Sequence, residues 1–123
     1  MDLFETIGEL KADNLISGTK VGVLTRGIKL AAGQGLLKRG TLLYENGDGT
    51  YATFDASVEK IVPSGILTDD TDTGTSESDS DVVAEEYITG TFNPAAVIVA
   101  SGTTLEDYTE ELRRLGIFLE EVK

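Results

Sequence analysis

The strongest fold signal in the sequence is a β-hairpin pattern between residues 41 and 54. Two turn dipeptides, Asn46-Gly47 and Asp48-Gly49, separate two runs of strand-forming residues, Thr41-Leu42-Leu43-Tyr44 and Thr50-Tyr51-Ala52-Thr53-Phe54. Asn-Gly and Asp-Gly supply the positive φ angles that tight hairpin turns require, and β-branched and aromatic residues favour strands. The pattern therefore predicts an antiparallel hairpin and, with it, a β-rich fold.

Further strand patterns lie on both sides of this hairpin, and glycines punctuate them. Turns are predicted at residues 31–35 and after Pro63, because Gly and Pro interrupt regular structure there. In the apolar run at residues 95–100, periodicity does not distinguish a buried strand from a buried helical turn. The other predicted strands are a segment beginning at Val21, Ile66-Leu67-Thr68, Tyr87-Ile88-Thr89-Gly90-Thr91-Phe92 and Ile117-Phe118-Leu119.

A single amphipathic helix is predicted near the C-terminus. Thr103 or Thr104 is suited to its N-cap, and Gly116 is suited to the left-handed position that follows the last turn. One apolar stripe runs along it: Leu105, Tyr108, Leu112 and Leu115. Together with a length of 123 residues, these patterns predict a mainly β (α+β) fold, a small single β-rich domain with one C-terminal α-helix.

The first 20 residues are predicted to form a flexible N-terminal arm, and residues 21–123 the β-rich domain. The apolar spacing of the arm is close to helical at first, but Gly8 interrupts it, and so short a helix is marginal in water. We expect this arm to become ordered only against a partner; the alternative is a first strand or helix packed on the domain's own core. The candidate partner-binding residues are Leu3, Phe4, Ile7, Leu10, Leu15 and Ile16.

The net charge of −12 lies almost entirely in the second half of the chain. Residues 69–81 contain no apolar side chain, so we expect them to form an exposed acidic loop. Their spacing does not fit the ligand positions of an EF-hand, which makes a solvated loop the better interpretation than a calcium site. Because so acidic a surface repels phosphates and anionic headgroups, nucleic acid and membranes are not expected as partners.

The residue inventory excludes most catalytic chemistry. The sequence has no His and no Cys, which removes the common catalytic triads, thiolate and imidazole metal sites, and disulfides. Adjacent acids such as Glu85 and Glu86 remain, but nothing in the sequence brings two carboxylates together across a cleft. The glycines at 33, 35 and 40 do not have the spacing of a nucleotide loop. We therefore expect no enzymatic activity, no metal and no cofactor.

Three segments resemble the head decoration proteins of tailed bacteriophages, the lambda gpD-like family. The first is Ala32-Gly33-Gln34-Gly35-Leu36-Leu37-Lys38-Arg39-Gly40-Thr41-Leu42-Leu43. The second is Gly65-Ile66-Leu67, followed by a polar loop. The third is Gly90-Thr91-Phe92-Asn93, followed by an apolar segment and the ending Leu112-Arg113-Arg114-Leu115-Gly116-Ile117-Phe118-Leu119. The resemblance extends from about residue 20 to the end of the chain.

The resemblance implies a β-tulip-like domain that is not an enzyme and that binds the outside of the expanded capsid. Its partners would be the major capsid protein and itself, as homotrimers at three-fold and quasi-three-fold sites that stabilise the head. It would be made in the host bacterial cytoplasm, as the absence of a basic signal-peptide start also predicts, and would end on the capsid exterior of the virion. In this family the N-terminal arm adds a strand to a capsid protein's sheet.

The sequence departs from lambda-type members in its acidic, apolar-containing arm and in the long acidic stretch at residues 69–81. A second interpretation is therefore a small acidic surface-binding or receptor-interaction module on the virion, with this loop meeting a basic partner.

Overall fold

The computed structural model describes residues 15–18, 22–57, 61–76 and 80–120, and in these ranges the fold is mainly β, as predicted. Within these described ranges, one α-helix and two 3₁₀ turns accompany the strands. The strands are β1 (Ile16–Gly18), β2 (Leu24–Leu30), β3 (Leu36–Leu37), β4 (Leu42–Glu45), β5 (Tyr51–Thr53), β6 (Gly65–Leu67), β7 (Thr71–Asp72), β8 (Val82–Phe92) and β9 (Ile117–Leu119). The helix is α1 (Thr109–Leu115), and the 3₁₀ turns are Pro94–Ala96 and Leu105–Tyr108.

The predicted hairpin is confirmed as the pair β4–β5. Leu43 faces Thr53 and Glu45 faces Tyr51 in an antiparallel ladder. The turn is closed by the Asn46 carbonyl, which accepts from the Gly49 amide at 3.0 Å, and Gly49 has a φ of +89°. Of the two turn dipeptides, Asp48-Gly49 therefore supplies a positive φ angle as expected, whereas Gly47 does not have a positive φ.

Five strands close into a barrel in the order β8-β2-β5-β4-β6, with β6 returning to β8. All of these pairings are antiparallel except β2–β5, which is parallel. The end of β8 leaves the barrel and pairs with β1 on one side and with β9 on the other. The long strand β8 therefore joins the barrel to a second, smaller sheet.

Two barrel strands, β4 and β6, are buried on both faces, which explains their adjacent apolar residues. Leu43 and Leu67 point into the barrel, while their neighbours Leu42 and Ile66 belong to a second cluster outside the wall. Side chains alternate along a strand, so consecutive buried residues require cover on both sides. The outer cover comes from a layer that includes Leu105, Leu112 and Ile117. Leu-Leu and Ile-Leu pairs thus take the place of alternation.

The C-terminal helix is confirmed, although its first turn is 3₁₀ rather than α. Leu105 and Leu112 of the predicted stripe are buried, and Gly116 ends the helix in the left-handed conformation with a φ of +101°. Leu115 differs from the prediction because it is 44% exposed. The helix presents less than the full stripe to the core, because Tyr108 is half-buried and Leu112 is the buried residue of α1.

The ambiguous apolar run at 95–100 forms neither a buried strand nor a full helical turn. Asn93 caps the 3₁₀ turn at Pro94–Ala96 with its side chain, and an isolated bridge then joins Ile98 to Thr41. Only Val97 of this run is fully buried, in the outer cluster. The run therefore contains part of each alternative, a 3₁₀ turn at its start and a single β-bridge at Ile98.

The acidic stretch at 69–81 is not exposed throughout, which corrects the expectation for its centre. Strand β7 pairs with β3, and the hydroxyl of buried Thr73 donates to the Gly35 carbonyl at 2.8 Å. The backbone amide of Gln34 donates to the same hydroxyl, also at 2.8 Å. A threonine can be buried here because the backbone of the glycine turn satisfies its polar atoms. Residues 77–79 of this stretch lie outside the described ranges.

Within the described ranges no helix combines the length and the apolar character needed to cross a membrane.

Candidate functional site

The predicted arm residues fall into two groups. Leu3, Phe4, Ile7 and Leu10 lie outside the described residues. Leu15 is 1% exposed and belongs to the outer core cluster, and Ile16 lies in β1 opposite Phe92. The Leu15 carbonyl accepts a hydrogen bond from the Asn93 amide at 2.7 Å.

Residues 15–18 are therefore part of the folded domain, which differs from the expectation of an arm that extends to residue 20. The physical reason is local: Leu15 fills a position beside Gly40, and the edge of β8 offers Ile16 and Gly18 backbone partners. This placement matches the alternative of a first strand packed on the domain's own core. A contact of Leu15 and Ile16 with another protein stays a prediction.

Strands β1, β8 and β9 form a small three-stranded sheet, and residues 1–14 are connected to the domain through β1 of this sheet. β1 runs antiparallel to β8, and β9 runs parallel to it on the other side. Since neighbouring strands are about 4.8 Å apart, β1 and β9 lie about 10 Å from each other. Residues 1–14 thus join the domain at the edge of a sheet.

A buried ion pair joins two strands of the barrel, and no local pattern in the sequence indicates it. The Glu86 carboxylate is 0% exposed and accepts from Arg26 Nε at 3.1 Å, from Arg26 Nη2 and from the Ser64 hydroxyl at 2.9 Å. The Arg26 guanidinium, 47% exposed, lies 5.9 Å from the centre of the Tyr51 ring. Strand register brings the pair together, since Arg26 of β2 is directly opposite Glu86 of β8.

Burial raises the pKa of Glu86 above its ordinary value, although the hydrogen bonds from Arg26 and Ser64 oppose this shift. The hydrogen bond to Glu86 in turn raises the pKa of Arg26. The Glu86 carboxylate forms its hydrogen bonds with Arg26 and Ser64 of the same domain. Its sequence neighbour Glu85 is exposed on the opposite face of β8, so this adjacent pair does not converge on a cleft. These contacts make Glu86 a structural residue of the barrel.

Two acidic side chains of the described 69–76 and 80–81 segments accept hydrogen bonds from backbone amides that are distant in the sequence. Asp70 accepts from the Arg39 amide at 2.8 Å, and Asp81 accepts from the Ala32 amide at 3.2 Å. Among the residues described, no group of three or more acids is arranged to hold a metal ion. These contacts tie the acidic segment to the glycine turn.

A surface patch formed by Val62, Pro63 and Leu115 was also missed by sequence reasoning. These residues line two adjoining grooves. Arg26 and Glu45 also line the first groove, and Glu111 and Arg114 also line the second. The helical stripe assigned Leu115 to the core, so the pattern pointed away from this surface. An exposed position for Leu115 follows only from the way α1 is placed on the sheet.

The architecture defines a small β-barrel domain that carries a sheet-anchored N-terminal segment, an arrangement suited to binding another protein through an edge strand. Residues 5–118 match the family described as bacteriophage lambda head decoration protein D, and the chain belongs to this family. A comparison with curated proteins gives no significant match. The family is one of structural phage capsid proteins, and membership implies a capsid decoration role on the exterior of the virion.

Proposed function

We propose that this protein binds the expanded capsid as trimers at three-fold and quasi-three-fold sites and stabilises the head. The observation that carries the proposal is the family match over residues 5–118, which spans the barrel and most of the N-terminal segment. The acidic surface supports an exterior position, because a net charge of −12 disfavours contact with packaged nucleic acid. The major capsid protein is the proposed partner, and synthesis takes place in the host bacterial cytoplasm.

The proposed capsid-binding element is the N-terminal segment, with apolar residues Leu3, Phe4, Ile7 and Leu10 as its contacts. The placement of β1 supports this, because the segment enters the domain at a sheet edge, and a strand added to a capsid protein's sheet would continue from there. Leu15 and Ile16 act in this proposal as the root that holds the arm in place. Many copies on one shell gain by avidity, so a weak single contact is sufficient.

Deletion of residues 2–13 is expected to weaken binding to expanded capsids at least about tenfold, which corresponds to about 1.4 kcal/mol. The domain itself should stay folded, because Leu15 and β1 are retained. Binding is measured by co-sedimentation with expanded capsids of the phage or prophage that encodes the chain, and folding by circular dichroism.

The matched control keeps the length and replaces only Leu3, Phe4, Ile7 and Leu10 by serine. It should lose binding as the deletion does, whereas serine at exposed Val83 on β8 should leave binding unchanged. If the folded deletion variant bound capsids as well as the intact chain does, the proposed role of the N-terminal segment in capsid binding would be refuted. Electron cryo-microscopy of decorated capsids tests the trimers: density away from the three-fold positions contradicts that part of the proposal.

A further inference from the structure

The turn between β4 and β5 contains an asparagine that is followed directly by a glycine, Asn46-Gly47. The turn takes its positive φ angle at Gly49 and not at Gly47. Gly47 is exposed, and a Cβ at this position would meet no atom within 4 Å. Neither the backbone angle nor the packing of the turn therefore requires glycine at position 47. Its missing side chain matters instead for the chemistry of Asn46.

A side-chain amide beside a backbone N–H can close a five-membered ring. The backbone nitrogen of Gly47 attacks Cγ of Asn46 and forms a new C–N bond. The bond from Cγ to Nδ2 breaks, and the amide nitrogen leaves as ammonia with the proton that Gly47 gives up. Water then opens this succinimide at either carbonyl and leaves aspartate or isoaspartate at position 46. The reaction consumes one water and needs no oxidant or reductant, and a following glycine favours it because no side chain obstructs the approach.

The backbone nitrogen of Gly47 is accessible for this attack. Within the described ranges its N–H donates to no carbonyl and to no side chain, and the residue is exposed to water, which can take up its proton. The backbone of Asn46 is paired on both sides: its amide donates to the Thr50 carbonyl at 2.7 Å, and its carbonyl accepts from the Gly49 amide at 3.0 Å. The main chain of the turn is therefore fixed, and ring closure requires rotation of the Asn46 side chain.

A hydrogen bond to Thr50 opposes this rotation. Asn46 Nδ2 donates to Thr50 Oγ1 at 3.1 Å, and the same hydroxyl donates to Asp48 Oδ1 at 2.7 Å. Because the hydroxyl accepts from Nδ2, it stabilises the intact amide and gives no proton to the leaving nitrogen. One neutral hydrogen bond of this kind changes a population by about fivefold. Thr50 is therefore a positioning residue that slows the reaction.

The other two asparagines of the chain are much poorer sites. Asn93 precedes Pro94, whose nitrogen carries no hydrogen, and its Oδ1 accepts from the Ala95 amide at 3.1 Å. Asn14 precedes Leu15, whose side chain hinders attack by its own backbone nitrogen. Both asparagines therefore serve as references within the same molecule.

We propose that Asn46 is a site of spontaneous deamidation in the folded protein, where the Gly47 nitrogen displaces the side-chain amide and the Thr50 hydroxyl slows the reaction. Each product carries one further negative charge in a turn that already contains Asp48. The isoaspartyl product also adds a backbone carbon between β4 and β5, which disturbs their pairing. The reaction belongs to the free chain and does not depend on the proposed function.

Incubation of the intact chain at neutral pH, in water enriched in heavy oxygen, tests the site itself. Peptide mass spectrometry should find a carboxyl group with one heavy oxygen at position 46, and an isoaspartyl methyltransferase should label the same peptide. Asn14 and Asn93 should stay unchanged over the same period. Unmodified Asn46, or equal conversion at all three asparagines, overturns the proposal.

Gly47→Ala tests the attacking nitrogen. The variant should fold normally, because the added Cβ meets no atom within 4 Å, and it should slow the conversion of Asn46 severalfold by crowding the nitrogen. Gly27→Ala is the matched control, since a Cβ there also meets no atom within 4 Å, and it should leave the rate unchanged. A rate that Gly47→Ala does not lower overturns attack by this nitrogen.

Thr50→Val tests the restraint and should speed the conversion about fivefold, whereas Thr50→Ser keeps the hydroxyl and should retain the slow rate. Gly40→Ala separates this effect from unfolding. It destabilises the fold away from the turn, because its Cβ would lie 2.6 Å from the Ala96 carbonyl oxygen, and it should leave the rate unchanged. Equal acceleration by Gly40→Ala and Thr50→Val would place the reaction in the unfolded chain, and no acceleration by Thr50→Val would remove the role of the hydroxyl; either result overturns the proposal.

Discussion

Arg26→Met is expected to destabilise the fold by about 3 kcal/mol at neutral pH, because it removes the counter-charge of a carboxylate that stays buried. Glu86 is 0% exposed, and after the substitution only the Ser64 hydroxyl would still donate to it. The Arg26 guanidinium is itself 47% exposed, so part of its interaction is screened by water, and we place the effect at the lower end of the range for buried pairs. Urea denaturation followed by circular dichroism measures the change.

The same variant should show a characteristic pH dependence. Burial raises the pKa of Glu86 above its unfolded-state value, so the folded protein binds more protons than the unfolded one between these two pKa values. The free energy of unfolding contributed by this group therefore falls as the pH rises through that window and recovers as the pH is lowered. Without Arg26 the pKa of Glu86 rises further. The destabilisation by Arg26→Met should thus be smaller at about pH 5 than at neutral pH.

Two controls make this prediction specific. Arg113→Met removes an exposed pair with Glu110, whose side chains are 3.4 Å apart, and should change stability little. Combining Arg26→Met with Glu86→Gln removes the buried charge as well and should recover part of the lost stability. The stabilising role of the buried pair would be contradicted if Arg26→Met lowered the free energy of unfolding no more than Arg113→Met does. It would also be contradicted if the effect of Arg26→Met did not depend on pH.

Gly40→Ala is expected to destabilise the protein by about 3 kcal/mol, since it combines an unfavourable backbone angle with overpacking. Gly40 has a φ of +100°, where residues with a Cβ are strained. A Cβ at this position would lie 2.6 Å from the Ala96 carbonyl oxygen and 3.5 Å from the Leu15 side chain. The Gly40 carbonyl also accepts from the Ile98 amide at 2.8 Å, which holds the two segments together. Thermal and urea unfolding measure the loss.

Gly27→Ala is the matched control for this substitution. Gly27 lies in β2 with a φ outside the positive range, and a Cβ there would meet no atom within 4 Å. Replacing it by alanine should be neutral or slightly stabilising, because alanine loses less conformational freedom on folding. Equal effects at positions 27 and 40 would contradict the close approach of the 94–98 segment to the start of β4.

Local chemistry made the hairpin and the helix end predictable from sequence. Asn46-Gly47-Asp48-Gly49 specifies a turn whatever surrounds it, and Gly116 ends a helix through its own backbone freedom. The family resemblance came from other short segments, at residues 32–43, 65–67, 90–93 and 112–119, and the match over residues 5–118 confirms it. Features that depend on neighbours along the chain were therefore accessible.

The sequence was less informative wherever a residue's surroundings come from distant parts of the chain. The burial of Leu15 depends on a space beside Gly40, and the burial of Thr73 depends on the glycine turn at Gly33 and Gly35. Leu115 followed the helical stripe but is exposed, because the packing of α1 decides which residues of the stripe reach the core. No local pattern contains these relations.

The sequence by itself determined a small, acidic, mainly β domain, its hairpin, its final helix and its family. The fold properties follow from composition, turn residues and periodicity, which act over a few neighbouring residues, whereas the family follows from the resemblance of particular segments. Only the tertiary structure decided that Arg26 meets Glu86, that the N-terminal root belongs to the core and that Val62 and Leu115 share one surface. Strand register brings Arg26 and Glu86 together across 60 positions of chain. A register shift by one residue would turn Glu86 to the opposite face, so that pairing is fixed by the fold as a whole.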